Sequence, residues 1–357
     1  MVRRSSTDTS RRLPAGRHVD RHSDDGNANF PLIARIKEIE IIMTVGTMTT
    51  TGRCPCPVRV ICPGCRGELD LAGQTICCTR CGNLFQRVGG FPDLIVGGRF
   101  EDATTEVKML YEENSNTYTT RNYWIPLFRR LWGNQTRAPR LLSVGCGIGI
   151  DVDLLAEKGF ECIGIDCGNR TAFWRRREHP ERLLLANGMN MPFDDASFDG
   201  VFCGCVFPHV GVVGDTYQVT PQYREDRLRL AREMTRVLRP GGKVVVSSPN
   251  RHFPFDLFHD RAEGSYRPRL NSPTSPFLLS HADYRRLFQA AGCTATSLLS
   301  VHQYWGFIRS EHSLRGRMAG ALPKFVFWLV SQPGARWLLS SPLNPWLVVL
   351  AQKPVAS

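Results

Sequence analysis

No stretch of this 357-residue chain approaches the roughly 18 consecutive apolar residues of a membrane-spanning helix, so the sequence predicts no transmembrane segment. Met1 to Arg12 is polar and basic and lacks an apolar core, so a secretory leader is not expected either. Internal repeats are absent. Basic residues outnumber acidic ones, giving a formal charge of +12, yet no Lys/Arg run exceeds the three of Arg175-Arg176-Arg177. Aromatics are not interleaved with basics in a repeated way. Nucleic acid is therefore the less favoured partner, and abundant surface arginine the simpler account. An apolar fraction of 42% fits a folded core carrying a polar arm.

Cysteine is unevenly placed. Seven of the 13 lie between Cys54 and Cys81, and the others are scattered singly. A disulfide framework goes with secretion, which the N-terminus does not support, so the clustered thiols read as metal ligands in a reducing cytoplasm. Cys62-Pro63-Gly64-Cys65 and Cys78-Thr79-Arg80-Cys81 are two C-x2-C pairs separated by 12 residues. Each pair presents two thiolates on one tight turn, and two such knuckles complete a closed S4 site suited to structural zinc. Cys77 is an alternative to Cys78, and Cys54 and Cys56 are spare ligands or spectators.

Residues 1–53, rich in Arg, Ser, Asp and Thr, are expected to be a disordered extension. Residues 54–97 form the cysteine module and residues 98–139 a helical connector. In the connector, Val107, Leu110 and Tyr111, then Trp124, Leu127 and Leu131, recur at helical spacing within Glu101 to Trp132. From residue 140 to 357 short apolar runs alternate with helical segments, the signature of a parallel α/β sheet. The predicted strands are Leu141–Val144, Cys162–Ile165, Leu183–Ala186, Gly200–Cys203, Lys243–Ser248, Thr294–Ser300 and one near Leu347–Gln352. Helices are predicted over about Arg224–Leu238, closed by Pro240-Gly241-Gly242, and over Asp283–Ala291. Insertions around 251–278 and 301–345 read as lids.

The first predicted strand runs into Gly145-Cys146-Gly147-Ile148-Gly149 and then a helix. Such a turn lets a ligand approach the backbone and the helix N-terminus closely. A dinucleotide fingerprint needs its third glycine one position later, where this chain has Ile150, so a nucleoside without pyrophosphate is expected. Asp166 ends the second strand, 21 residues after Gly145, where an acid can accept both ribose hydroxyls. Ala186 to Phe193, then Phe198-Asp199-Gly200-Val201, and Arg236 to Lys243 running into Val244-Val245-Val246 complete the series.

The order and spacing of these four elements, over about residues 105–300, resemble the class I S-adenosylmethionine-dependent methyltransferases, particularly the type-11 group that includes ubiquinone and menaquinone methyltransferases. The resemblance implies a Rossmann-like seven-stranded, mostly parallel sheet with helices on both faces, preceded here by the small zinc-ribbon module. It implies S-adenosylmethionine across the carboxyl ends of the strands. The methionine part would lie near Gly145, Cys146, Gly147 and Gly149, the ribose on Asp166, and the adenine near Asn187, Gly188 and Met189, with Cys203 beside them. Two positions depart from the pattern: Ser143 and Asn187 stand where acids are common. An asparagine carbonyl still accepts a hydrogen bond, and Ser143 still bonds locally.

Because the sulfonium already activates the methyl group, the protein has to align acceptor, methyl and sulfur. A base is needed only when the acceptor loses a proton. In this family the segment Cys203 to His209 faces the acceptor, which makes His209 the candidate base, with a local structural histidine as the alternative. Tyr217, His252, His259 and Asp260 rank below it, and Cys203 or Cys205 as nucleophile lower still. Ile61 to Ile95 resembles the short zinc ribbon of tRNA-methyltransferase activator proteins, and ribosomal-RNA guanine methyltransferases also carry an N-terminal four-cysteine site. The apolar patches Phe325–Val330 and Trp337–Leu339 either lie on a membrane or cover a lipophilic acceptor, or pack as lid and core elements, the reading preferred here.

The expectation is methyl transfer to a small or lipophilic metabolite. The alternatives are an RNA methyltransferase that uses the ribbon as an RNA grip, and a non-catalytic zinc-bearing adaptor with a degenerate methyltransferase fold.

Overall fold

The computed structural model describes residues 58–100, 106–133, 135–168, 170–213, 218–256, 269–306 and 314–355. All of them fall within one compact unit, Thr50–Ser357. The expected disordered extension, Cys54, Cys56, Tyr217, His259 and Asp260 lie outside the described residues, as do parts of both expected lids.

Four short strands come first: β1 (Leu69–Asp70), β2 (Ile76–Cys78), β3 (Leu84–Val88) and β4 (Phe91–Asp93). Helix α1 (Glu106–Thr119) passes through a π-helical turn, Thr120–Trp124, into α2 (Ile125–Trp132). The alternating part follows as β5 (Arg140–Val144), α3 (Ile150–Glu157), β6 (Glu161–Asp166), α4 (Thr171–Trp174), β7 (Leu183–Leu185), β8 (Phe198–Gly204), α5 (Tyr223–Val237) and β9 (Leu238–Pro249). The small pair β10 (Phe255–Asp256) and β11 (Arg269–Leu270), α6 (His281–Ala290), β12 (Ala295–Leu298), α7 (Leu314–Leu329) and β13 (Trp346–Gln352) complete the chain.

The sheet order is β1-β2-β3-β4-β7-β6-β5-β8-β9-β13-β12. Its last seven strands are the expected Rossmann-like sheet, parallel from β7 to β9, with β13 antiparallel to both neighbours. The sequence explains the order at that edge. Strand β13 is apolar on both faces and almost wholly buried, so it sits inside the sheet, whereas β12 alternates exposed and half-buried residues and forms the edge. Successive residues of the central strands serve opposite faces: Leu142, Val144, Val201, Cys203, Val244 and Val246 pack with α5 and α6. Leu141, Phe202 and Val245 pack with α2, α3 and α7 on the other side.

The cysteine-rich segment is continuous with the main sheet. Strand β4 pairs in parallel with β7 through Asp93 and Leu185, so the ribbon strands continue the main sheet. The sheet accordingly has eleven strands rather than the seven expected from the resemblance. The connector helix is continuous over the described residues 106–132, but its middle widens: the Ile125 amide reaches Thr120 O, and Pro126, which has no amide to offer, follows at once. At the other end of the sheet, Pro240-Gly241-Gly242 lies inside β9 as an irregularity, where Phe198 pairs with Leu238 but Gly200 with Lys243. Helix α6 begins two residues earlier than expected, because Asp283 is the third residue of a capping box closed on Ser280.

Candidate active site

Strands β5 and β8 are neighbours, and the chain leaves them toward opposite edges, β6 and β7 on one side and β9 on the other. That is the topological switch point at which open α/β sheets bind ligands. The glycine turn sits there, at the carboxyl end of β5.

Gly145, Gly147 and Gly149 all adopt positive φ (68°, 55° and 78°). A Cβ on Gly145 would collide with Val206, one on Gly149 with Leu183, and one on Gly147 with the Glu112 carboxylate. Four of the five amides of this turn bond within the protein. Those of Gly145 and Cys146 donate to Ile165 O, that of Gly149 to Cys146 O, and that of Gly147 to Asp166 Oδ2 at 2.8 Å. Asp166 Oδ1 also accepts from the Gly168 amide at 2.7 Å, so this carboxylate ties the turn to the end of β6. The indole of Trp174 donates to Gly147 O at 2.7 Å from below.

Three carboxylates surround the turn. Glu112 projects from α1 over Gly147 and pairs with Arg170 at 3.7 Å. Asp166 stands on the β6 side. Asp151, in the first turn of α3, accepts a hydrogen bond from Ser143 and another from the Val152 amide. Burial pushes the Asp151 carboxyl up to about 6, despite the hydrogen bond from Ser143 that opposes the shift. Burial likewise raises the Cys146 thiol, with Asp166, Asp151 and Glu112 adding to it. The Cys146 and Cys203 side chains are packed in the core, so both reach this edge only through their main chain.

The Asn187 side chain is engaged at both ends: Nδ2 donates to Gly98 O and Oδ1 accepts from the Met189 amide, each at 2.9 Å. Asn190 Nδ2 reaches Val96 O, and the Leu94 amide donates to Leu185 O. The segment leaving the ribbon therefore borders the Asn187-Gly188-Met189 loop, a neighbour that the sequence did not announce. Gly188 lies tight against Leu230 and Val144.

Beyond β8, Cys205 takes the left-handed conformation (φ 57°) and Val206 leans over Gly145. His209 ends a short 3-10 turn, half-buried, with its ring edge-on to Phe100 and to Phe277 at 5.8 Å in each case. The buried Arg227 of α5 fixes this segment. Its guanidinium donates to the carbonyls of Pro208, Val210, Pro276 and Phe277. His252 is exposed on the loop after β9.

The ribbon cysteines form a second site. Cys62, Cys65, Cys78 and Cys81 place all four sulfurs within 4.8 Å of one another. The Cys62–Cys81 and Cys65–Cys78 separations are 3.8 and 3.4 Å, close to the ~3.8 Å edge of a tetrahedron with zinc–sulfur bonds of about 2.3 Å. The two knuckles match: Arg66 N donates to Cys62 O and Gly82 N to Cys78 O, with Arg66 and Gly82 both left-handed (φ 61° and 72°). Cys77 stays out of the cluster because neighbouring residues of β2 point to opposite faces.

Residues 142–246 match the family described as a methyltransferase domain, which spans the glycine turn, Asp166, the Asn187 loop and β8. A probable S-adenosylmethionine-dependent methyltransferase of Mycolicibacterium smegmatis is 29% identical over 50% of this chain and 63% of its own length. One from Mycobacterium tuberculosis is also 29% identical, over 44% and 49% respectively. This chain thus spans about half to just under two thirds of these relatives. Among solved structures, phosphoethanolamine N-methyltransferase 2 of Haemonchus contortus, bound to S-adenosylmethionine, overlaps 70% of this chain and 57% of that one, with 19% identity and a TM-score of 0.42.

Proposed function

We propose that this chain is an S-adenosylmethionine-dependent methyltransferase whose acceptor is a small or lipophilic metabolite. The observation that carries the cofactor assignment is the Gly147–Asp166 hydrogen bond at the switch point, ringed by Glu112 and Asp151. A pyrophosphate needs free amides and cations; here four of the turn's five amides bond within the protein, and among the described residues the three carboxylates outnumber the one cation beside them, Arg170. S-adenosylmethionine carries a sulfonium and an ammonium, which suit that ring, and two ribose hydroxyls, which suit Asp166. The cofactor, when bound, supplies the activated methyl group.

Around it, the residues bind and orient. Gly145, Gly147 and Gly149 leave room for the methionine portion, and Gly188 and Met189 border the adenine. Val206 and His209 line the approach of the acceptor, and His209 is the candidate for taking up a proton. The four cysteines fit structural zinc, which would lock a ribbon too small for its own core. Ligation by thiolates suits a reducing compartment such as the cytoplasm.

The test is calorimetric titration with S-adenosylmethionine, followed by radiolabelled methyl transfer to fractionated extract. Binding that is lost in Gly147→Arg and weakened at least about tenfold in Asp166→Ala is expected, with label in the lipid or small-molecule fraction. Unchanged binding by both variants overturns the site. Label confined to RNA replaces the acceptor class by nucleic acid, and an absence of binding favours the adaptor.

A further inference from the structure

The last two turns of α7 place apolar residues on both faces. Phe327 and Val330 are buried against the aromatic core beneath it, as are Leu338 and Leu339 of the following 3-10 helix. The opposite face carries Leu322, Phe325, Trp328 and Leu329 at i, i+3, i+6 and i+7, from 67% exposed at Leu322 to 39% at Leu329. Phe325 and Trp328 stack loosely with ring centroids 5.6 Å apart. Trp337 is 70% exposed and Leu343 63%. Concentrated exposed apolar area of this kind marks an interaction surface.

Charge identifies the partner. Lys324 and Arg336 are exposed on this stretch, and residues 314–344 contain not one Asp or Glu. A second copy docked isologously would set this acid-free basic stretch against itself, which opposes self-association. An anionic lipid surface instead offers negative headgroups to Lys324 and Arg336 and an acyl boundary to tryptophan and leucine. Exposed apolar residues along one face of the helix suit a helix lying in the interface plane; no helix among the described residues is long and apolar enough to cross a membrane.

We infer that α7 and the turn that follows it form a peripheral membrane-docking surface selective for anionic bilayers. This assignment does not depend on methyl transfer, and its readout is lipid binding alone.

The test is co-sedimentation of the full chain with vesicles of phosphatidylcholine, with and without about one third phosphatidylglycerol. Binding to the anionic vesicles only, weakening as salt rises from about 0.1 to 0.5 M, is expected. Phe325→Glu/Trp328→Glu should lower that binding about tenfold or more, and Arg336→Glu by a smaller, salt-sensitive factor. Both variants change exposed positions, and an unaltered thermal transition confirms that they fold. Failure to sediment with either vesicle overturns the inference, as does equal binding by the double variant. A dimer in light scattering that Trp328→Glu dissociates overturns it in favour of self-association.

Discussion

The Ser143 hydroxyl donates a hydrogen bond to Asp151, so the carboxylate beside β5 is supplied by the first turn of α3. Position 143 is where the resembled family commonly carries an acid. A serine there looked like a loss in the sequence, and in space the acid stands eight residues further on.

This placement sets a pH dependence. Burial raises the Asp151 carboxyl from 3.8 to about 6, so the folded state holds its proton more tightly than the unfolded chain does. Between about pH 4 and pH 6 the native state then binds more protons, and stability falls as pH rises through that window. Above it the ionised, half-buried carboxylate costs at most about 3 kcal/mol. Asp151→Asn should therefore melt higher than the parent at pH about 7.5, with the difference vanishing near pH 4. Cofactor affinity should show the reverse: the parent loses affinity on acidification through about pH 6, and the variant starts weaker and stays flat. Melting curves and titrations across that range check both; identical profiles for parent and variant would remove Asp151 from the site.

How much of this was legible in the sequence follows from the range of each signal. The glycine turn, Asp166 and the seven core strands are local patterns, with a spacing or periodicity that physical chemistry ties to one geometry. The two cysteine pairs are local too, although choosing Cys78 over Cys77 required knowing the face of β2. Glu112 had no such signature. It is one acid among several on a polar helix, and it matters only because α1 folds back over Gly147. The contacts of Asn187 with Gly98 and of Asn190 with Val96 were equally invisible, since they join segments about 90 residues apart. The outward apolar face of α7 was legible as composition, but its exposure was not.

Glu112 gives the next prediction. Its carboxylate lies over Gly147 and is held by Arg170 rather than buried in the core. Glu112→Gln keeps the shape and removes the charge, so binding of the cationic cofactor should weaken roughly tenfold while the neutralised, demethylated product loses less. Parallel titrations with both compounds measure the ratio. Equal losses for the two would mean that Glu112 contributes shape and not charge.

The ribbon's continuity with the sheet makes the cysteine cluster matter beyond its own strands. Cys65→Ser, or metal extraction with a chelator, should abolish stoichiometric zinc and lower the melting transition. It should also weaken cofactor binding, because β4 pairs with β7 and the segment after it braces the Asn187 loop. Metal analysis with calorimetry before and after extraction tests this. A chain that releases zinc with cofactor affinity unchanged would show that the ribbon and the site are uncoupled.

Arg227 separates bracing of the His209 segment from bracing of the glycine turn. It is 4% exposed, and four backbone carbonyls, at positions 208, 210, 276 and 277, depend on it. Burial lowers its pKa, and the tyrosine ring of Tyr223 lies 5.2 Å from the guanidinium. Arg227→Met fills the volume but leaves those carbonyls without their donor, a loss of about 3–5 kcal/mol. Arg227→Lys restores a charge without the fork and should recover only part of it. None of these bonds touches the glycine turn. The folded fraction of either variant should therefore bind S-adenosylmethionine as the parent does, while the turnover number falls at least tenfold as the His209 segment loosens. Denaturant unfolding, calorimetry and initial rates on one preparation read the three quantities together. Normal turnover in a destabilised Arg227→Met would show that the segment needs no bracing, and a parallel loss of cofactor affinity would mean that the arginine supports the whole cleft.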